Sequence, residues 1–360
     1  MKKTTVGVIG CGVISEVYLN TMVQHFGELL RVKACASRGH TSALRRAEEF
    51  GIQAMSVEEL LNDKEIDIVV NLTPAWAHAE IITRALQAGK HVYTEKTLAE
   101  TFSQAKELSD LAADKGLTLC CAPDTVMSAG IQTARQALEE KRIGEITSCQ
   151  LSMNRNYGAL YEKLPFLLEP GAGGTMDVGP YFIGCATYLL GSICAVVGAA
   201  DVSRPVRLNT KGEKYTIENE NRCISLLQFE SGVVGTLHMN MDSGGIEEPL
   251  CTIYGTEGVL KVHTPNRFCK KVELIRQKKE DLALVSGYTE LLRGVGIGEM
   301  AAALQYGRCP IMHHGAALHT QEVVEAIYRS HETGQWQQIS SRMPTSCRRA
   351  FSPEMIFEAK

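Results

Sequence analysis

Along the first third of the chain, short apolar runs alternate with amphipathic stretches, which predicts strands alternating with helices. Val6, Val8 and Ile9 make a short β-branched run that reads as a buried strand, and Gly10-Cys11-Gly12 follows it before a helical stretch ending near Phe26. Further strands are predicted over residues 32–37, 66–73 and 91–95, with helices over 41–50 and 78–89 between them. After residue 122 this alternation stops. Strand-like segments then come in series at 146–154, 223–229, 233–241, 250–254, 259–263 and 271–276, with Ser231-Gly232 and Thr256-Glu257-Gly258 as turn signals. Helices are predicted over 123–142, 177–190 and 299–305, and Ala317, Val324, Ile327 and Tyr328 share one face of a late helix that stops at Gly334. Gly171-Ala-Gly-Gly174 reads as a flexible turn. Gly294-Val-Gly296-Ile-Gly298 has no strand before it and reads as an irregular connection rather than a phosphate loop. The tail from Met343 to Lys360 has no clear period and reads as loose or as wrapping a partner.

Length and composition narrow the function. The chain has 360 residues, beyond the roughly 250–300 at which single cores stop growing, so two domains are expected. A net charge of −4 argues against affinity built on phosphate neutralisation, so no nucleic-acid partner is expected. No apolar run approaches the ~18 residues of a membrane span. Lys2 and Lys3 before an apolar run imitate a secretory signal, but glycines break that run and Glu16 follows too closely. The twelve cysteines are scattered without a C-x-x-C pattern, which fits reduced thiols in the cytoplasm. No nearby cysteine or carboxylate completes a ligand set around His313-His314, and no metal is predicted. Small-molecule chemistry is what remains.

The first strand-turn-helix carries the first chemical signal. In a G-x-G turn a side chain at Gly12 would keep a pyrophosphate from the backbone N–H groups and the positive helix end, so Gly10, Gly12, Val13 and Ile14 are expected at a dinucleotide. Ser15 stands at the third glycine position, a small-for-small change. At the end of the second strand, where a carboxylate would bind the ribose hydroxyls, the chain has Ser37-Arg38. These can donate to a 2′-phosphate, and Arg38 can stack on adenine, which favours NADP over NAD. In an open parallel sheet the carboxyl ends of the strands face the ligand crevice, placing Thr73, Pro74 and Trp76 there. His78 opens the next helix, and Glu95 and Lys96 close the following strand.

Val-Ile-Gly-Cys-Gly at the start, Asn71-Leu-Thr-Pro74 with His78, and Ala88-Gly-Lys-His-Val-Tyr-Thr-Glu-Lys96 together resemble the Gfo/Idh/MocA oxidoreductase family. Cys121-Ala-Pro-Asp-Thr125, Ile131-Gln-Thr-Ala-Arg135 and Gly173-Gly-Thr-Met-Asp-Val-Gly-Pro-Tyr181 extend the resemblance over nearly the whole chain. It implies an α/β protein: an N-terminal Rossmann domain over 1–122, then a C-terminal α+β domain over 123–360 with a large, mainly antiparallel sheet and substrate bound between them. It implies NAD or NADP as cofactor and a homo-oligomer, a dimer or tetramer. It also implies hydride transfer between nicotinamide and a carbinol of a sugar, polyol or glycoside, with Lys96, Asp177 and Tyr181 catalytic. Tyr181 stands where the family pattern has histidine, as in its glucose-fructose oxidoreductase and dihydrodiol dehydrogenase branches. Gly184 stands where a further acid is usual and Thr97 where proline is usual. Arg155, Asn156, Tyr157 and Tyr161 precede the glycine turn and are candidates for substrate contact. Two other readings share this frame: a glycoside-oxidising enzyme that recycles a tightly bound NAD before elimination of an aglycone, and a non-catalytic NAD(P)-binding sensor. The sensor would not need Lys96, Asp177 and Tyr181.

Overall fold

The computed structural model describes residues 2–168, 172–245, 247–290 and 293–357. Gly171 of the expected glycine turn and the last three residues of the tail lie outside them. The first part of the chain runs β1 (Thr4–Ile9), α1 (Val13–Phe26), β2 (Leu30–Ala36), α2 (Thr41–Phe50), β3 (Gln53–Met55), α3 (Val57–Asn62), β4 (Ile68–Asn71), α4 (His78–Gln87), β5 (His91–Thr94), α5 (Phe102–Asp114) and β6 (Leu119–Cys121). It continues with α6 (Ala129–Glu139), β7 (Ile146–Asn154), α7 (Gly158–Lys163), α8 (Gly174–Leu190), β8 (Ile193–Asp201), β9 (Val206–Leu208), β10 (Lys214–Thr216), β11 (Arg222–Phe229) and β12 (Val234–Asn240). Last come β13 (Leu250–Gly255), β14 (Val259–His263), β15 (Val272–Ile275), β16 (Lys279–Asp281), α9 (Val295–Gln305), α10 (His314–Thr333), β17 (Gln337–Gln338) and α11 (Glu354–Phe357). Two compact units result: Met1–Met127 with Glu290–Leu318 and Pro344–Lys360, and Ser128–Thr289 with His319–Met343. The first unit therefore takes in two late segments that a linear division at residue 122 leaves out.

In the first unit six strands form a parallel sheet in the order β3-β2-β1-β4-β5-β6. All six residues of β1 and all four of β4 are buried, as expected for strands covered on both faces. The order reverses beside β1, the switch point at which such sheets bind ligands. Ile9 pairs with Asn71 and Asn71 with Thr94, so β1, β4 and β5 end at one level. That register brings Gly10, Thr73 and Glu95 to one edge.

Two readings of the late chain need correction. The glycines of 294–298 are not an irregular connection: helix α9 starts at Val295, with Gly294 as its left-handed N-cap at φ 96°. A Cβ at Gly296 would meet Tyr93 ring atoms at 2.8 Å, and one at Gly298 would meet Phe26 at 2.8 Å. The glycines serve close helix packing there, outweighing their poor helix propensity. Asp124, absent from the predicted site, closes this helix end, its Oδ2 accepting from the N–H groups of Gly294 (2.8 Å) and Gly296 (3.2 Å). The tail is likewise not loose over its described residues. Phe351 and Ile356 are buried, and Arg349 donates to the buried Glu299 carboxylate, which also accepts from Arg308 Nη1 at 2.5 Å and Ile311 N–H at 2.9 Å. Aperiodic sequence hid an element held by ion pairs and single apolar anchors.

The second unit is built on a nine-stranded sheet in the order β16-β15-β14-β13-β7-β12-β11-β8-β17. Among the described residues β7 and β12 pair in parallel and the other neighbours are antiparallel. Residues along β11 alternate buried and exposed, and Ile224, Leu226 and Val234 stand exposed on the outer face. The short β9–β10 hairpin and β8 were not expected. Strand β8 follows the apolar helix α8 after only two residues and was obscured by it. No helix among the described residues is long and apolar enough to cross a membrane. Ten of the twelve cysteines are buried as free thiols.

A buried histidine in the second unit gives the fold a pH dependence. His319 Nε2 accepts from the Ile193 N–H at 3.1 Å, and Nδ1 lies 3.0 Å from Ser341 Oγ, so the neutral ring satisfies both contacts. Burial pushes its pKa down to about 4, against about 6.5 in an unfolded chain. The unfolded chain binds more protons below that value, so this stabilisation is complete above about pH 6.5 and is lost as pH falls towards 4. The thermal midpoint should fall between pH 6.5 and 4.5, and His319→Gln, less stable at pH 7, should fall less steeply. Equal slopes in differential scanning calorimetry would refute this.

Candidate functional site

The two glycines of the first turn have different tasks. Gly10 has φ +104°, and a Cβ on it would lie 2.5 Å from the Leu72 carbonyl carbon, so it lets two strand ends pass closely. A Cβ on Gly12 would meet nothing within 4 Å. Gly12 caps α1 without any side-chain hydrogen bond, leaving helix-end N–H groups beside open space. Val13 is 88% exposed next to it. Uncapped donors, a positive helix end and no side chain in the way fit the pyrophosphate of a dinucleotide. Ser15 is fully buried, donates to Gly12 O at 2.6 Å and accepts from Arg46 Nε at 3.2 Å. Arg46 in turn lies 3.1 Å from Glu16, countering the one acidic charge in that helix turn. The sequence reading missed Arg46, although an arginine between the buried Ala43 and Ala47 was its signal.

Ser37 and Arg38 leave β2 on the same edge. Ser37 Oγ accepts from Ser42 Oγ at 2.8 Å, and the Arg38 guanidinium carbon lies 5.7 Å from the centre of the Trp76 ring, which is 52% exposed. Thr73 is turned by Asn71, whose Oδ1 accepts from its N–H (3.2 Å) and Oγ1 (2.7 Å), and Pro74 opens the single turn Ala75–Ala77. His78 and Glu95 are placed differently from these exposed residues. His78 is buried, with Nδ1 2.5 Å from Thr97 O and Nε2 2.9 Å from Thr73 O, and burial pushes its pKa down. It joins the Thr73 turn to the segment after Lys96. The Glu95 carboxylate accepts from Tyr18 Oη at 2.6 Å and from the Lys96 N–H at 2.9 Å, fixing the end of β5 to α1. Lys96 itself is half-buried and is followed by a cis peptide to Thr97.

In the second unit the candidate residues gather on α8 and at one end of the large sheet. Helix α8 is buried from Gly174 to Leu190 except at Asp177, Tyr181 and Gly184, which are half-buried. Their spacing of four and three residues puts them on one helix face. A Cβ on Gly184 would meet nothing within 4 Å, so space is open where the family pattern has an acid. The helix start is tied to the sheet through Glu220, which accepts from Thr175 N–H and Tyr328 Oη, both at 2.8 Å. Arg155, Asn156 and Tyr157 follow β7 beside Met241 and Asp242 after β12. Asn156 Oδ1 accepts from the Gly158 N–H at 2.7 Å, at the start of α7. Tyr157 and Tyr161 are buried with ring centres 6.0 Å apart, and burial pushes the Tyr161 pKa up to about 12. His313 and His314 lie elsewhere, in the first unit, ring on ring at 4.0 Å, with His314 Nδ1 3.1 Å from Leu119 O.

Comparison with known proteins agrees with this architecture. Residues 4–122 match the profile "Oxidoreductase family, NAD-binding Rossmann fold", and residues 131–261 match "GFO/IDH/MocA C-terminal domain". The chain is 35% identical over 245 residues to dTDP-3,4-didehydro-2,6-dideoxy-alpha-D-glucose 3-reductase of Actinomadura kijaniata, covering 66% of this chain and 68% of that one. It is 27% identical over 247 residues to levoglucosan dehydrogenase of Pseudarthrobacter phenanthrenivorans, covering 63% of each. Matches to two uncharacterised oxidoreductases of Schizosaccharomyces pombe span 55% and 41% of their lengths. The fold is shared with levoglucosan dehydrogenase solved with NADH and L-sorbose, at a TM-score of 0.84 and 21% identity, covering 95% of this chain and all of that one. The chain belongs to the Gfo/Idh/MocA oxidoreductase family.

Proposed function

We propose that the protein is an NAD(P)-dependent oxidoreductase that moves a hydride between nicotinamide and a carbinol of a sugar, polyol or glycoside. The observation that carries this reading is the uncapped start of α1 at Gly12, on the sheet edge where β5 also ends before Lys96. The sugar-directed names of the relatives support the substrate class. When bound, the nicotinamide supplies the hydride acceptor or donor. The protein must then hold the carbinol oxygen and move its proton. In the proposed roles Tyr181 exchanges the hydroxyl proton, Lys96 stabilises charge on the oxygen, and Asp177, on the same helix face as Tyr181, orients the substrate. His78 and Glu95 hold the backbone on either side of Lys96 and are assigned to positioning.

NADP is the proposed cofactor. The Arg38–Trp76 pair offers a stacking surface, Ser37 and Ser42 supply hydroxyls, and the first turn of α2 has no acidic residue to repel a 2′-phosphate. The exposed Ile224, Leu226 and Val234 support self-association through the outer face of the sheet.

Lys96→Met and Tyr181→Phe should each lower kcat by roughly 10²–10⁴-fold, the range for a lost proton-transfer group, while cofactor binding followed by nicotinamide fluorescence persists. Near-normal turnover in both would sink the assignment. Wild-type protein should bind NADP more tightly than NAD, and Arg38→Ala should erase the difference; NAD binding tenfold tighter, about 1.4 kcal/mol, would overturn the preference. Leu226→Glu should shift the chain to a smaller species in light scattering, and an unchanged mass would exclude this face.

A further inference from the structure

The second unit holds a guanidinium that the proposed reaction does not use. Asp242, just after β12, has a side chain only 5% exposed. Its carboxylate accepts from Ser203 Oγ at 2.7 Å, from Arg204 Nε at 2.7 Å and Nη2 at 2.5 Å, and lies 2.7 Å from Arg207 Nη1. Two positive charges thus meet one negative charge. Arg207 Nε donates to Arg204 O at 3.0 Å, but its Nη2 is buried without a hydrogen-bond partner among the described residues, on a side chain 9% exposed. Three other carboxylates of this unit are engaged elsewhere. Asp201 is held by Arg222 at 2.8 and 2.7 Å, Glu220 by Tyr328 and Thr175, and Glu162 by Thr210.

Leaving a charged N–H buried without an acceptor is costly, whereas a carboxylate or phosphate oxygen would satisfy it with a charge-assisted bond. Arg207 lies in the β9–β10 hairpin, a two-stranded sheet of three residues per strand that rests on α7 through Thr210–Glu162 and the Tyr215–Tyr161 ring pair, centres 6.5 Å apart. A two-stranded hairpin of this length has little stability of its own, so access of a ligand to Arg207 would need only its contacts with α7 to open.

The place of this group matches the candidate substrate residues. Asn240 pairs with Asn154 and with Arg222, and Arg222 pairs with Asp201, so β7, β12, β11 and β8 share the sheet end from which Arg155, Asp242, Glu220 and Arg204 project into loops. Glu220 also bonds the start of α8. We propose that Arg207 receives an anionic oxygen group on the substrate, so that the site selects sugars bearing a carboxylate or phosphate over neutral sugars. This rests on the oxidoreductase reading and narrows its substrate class.

The test uses full-length protein with hexuronates, hexose monophosphates and the matching neutral hexoses. Two readouts are taken: thermal shift without turnover, and kcat/KM for reduction of the nicotinamide cofactor. Wild type should be stabilised by one of the anionic sets at millimolar concentration and should turn it over at least tenfold more efficiently than the neutral hexose, through KM. Arg207→Met should lose that preference, and Arg207→Lys should recover part of it, which separates loss of charge from misfolding. Response to hexuronates alone assigns a carboxylate, to hexose phosphates alone a phosphate, and to both a general oxyanion site. Stabilisation by neither, or an anionic preference unchanged in Arg207→Met, overturns the proposal. If no sugar reduces the cofactor but an anionic sugar still stabilises wild type and not Arg207→Met, the oxyanion site stands and the oxidoreductase reading fails.

Discussion

The first unit depends on the close passage of the Gly10 backbone past the carbonyl of Leu72, a distance no Cβ permits. That approach lets β1 and β4 end side by side at the place where strand order reverses. It also frees Gly12 to start α1 with open space at its N–H groups. The glycine pair therefore divides the labour: Gly10 satisfies the fold and Gly12 leaves room for a ligand. Around them buried and half-buried polar residues brace the edge. Glu95 ties β5 to Tyr18 on α1, His78 links the Thr73 turn with Thr97, and Arg46 joins Ser15 to α2. None of these groups needs to touch a cofactor to matter. Each fixes a backbone segment beside side chains that stay exposed, such as Trp76 and Arg38.

The second unit shows another arrangement of the same kind. Burial along α8 leaves one face at Asp177, Tyr181 and Gly184, so helical geometry selects which side chains are accessible. The sheet end beside that helix gathers charged residues from four strands, and most pair off. Asp201 takes Arg222, while Asp242 takes more guanidinium than one carboxylate can neutralise. The positive excess follows from topology, because Arg204 and Arg207 reach Asp242 from a loop and a hairpin nearly forty residues away in sequence.

Strong periodic signals survived well into the structure. Strands β7 and β14 occupy the predicted residues 146–154 and 259–263, because alternating or β-branched runs bounded by turns leave few other solutions. Signals carried by glycine were more ambiguous. At Gly10 and Gly12 glycine meant a turn, whereas at Gly296 and Gly298 it meant a helix pressed against Tyr93 and Phe26, and only the neighbours distinguish the two. The C-terminal tail was illegible for a related reason: its anchor is the buried Glu299, reached by Arg308 and Arg349 at spacings that no local period records.

By itself the sequence determined the class of fold, the parallel edge with its dinucleotide-type turn, and residue types able to exchange a proton. These are local properties, set by the side-chain period of strands and helices and by where glycine is required. Tertiary structure alone decided which candidates are exposed and which are braces, placing Trp76 against Arg38 and turning His78 and Glu95 inward. It also revealed Arg46, Asp124 and Arg207, whose partners lie far along the chain. The reason is physical: burial and charge pairing depend on which distant segments meet, and that is fixed by strand order and register rather than by spacing in the sequence.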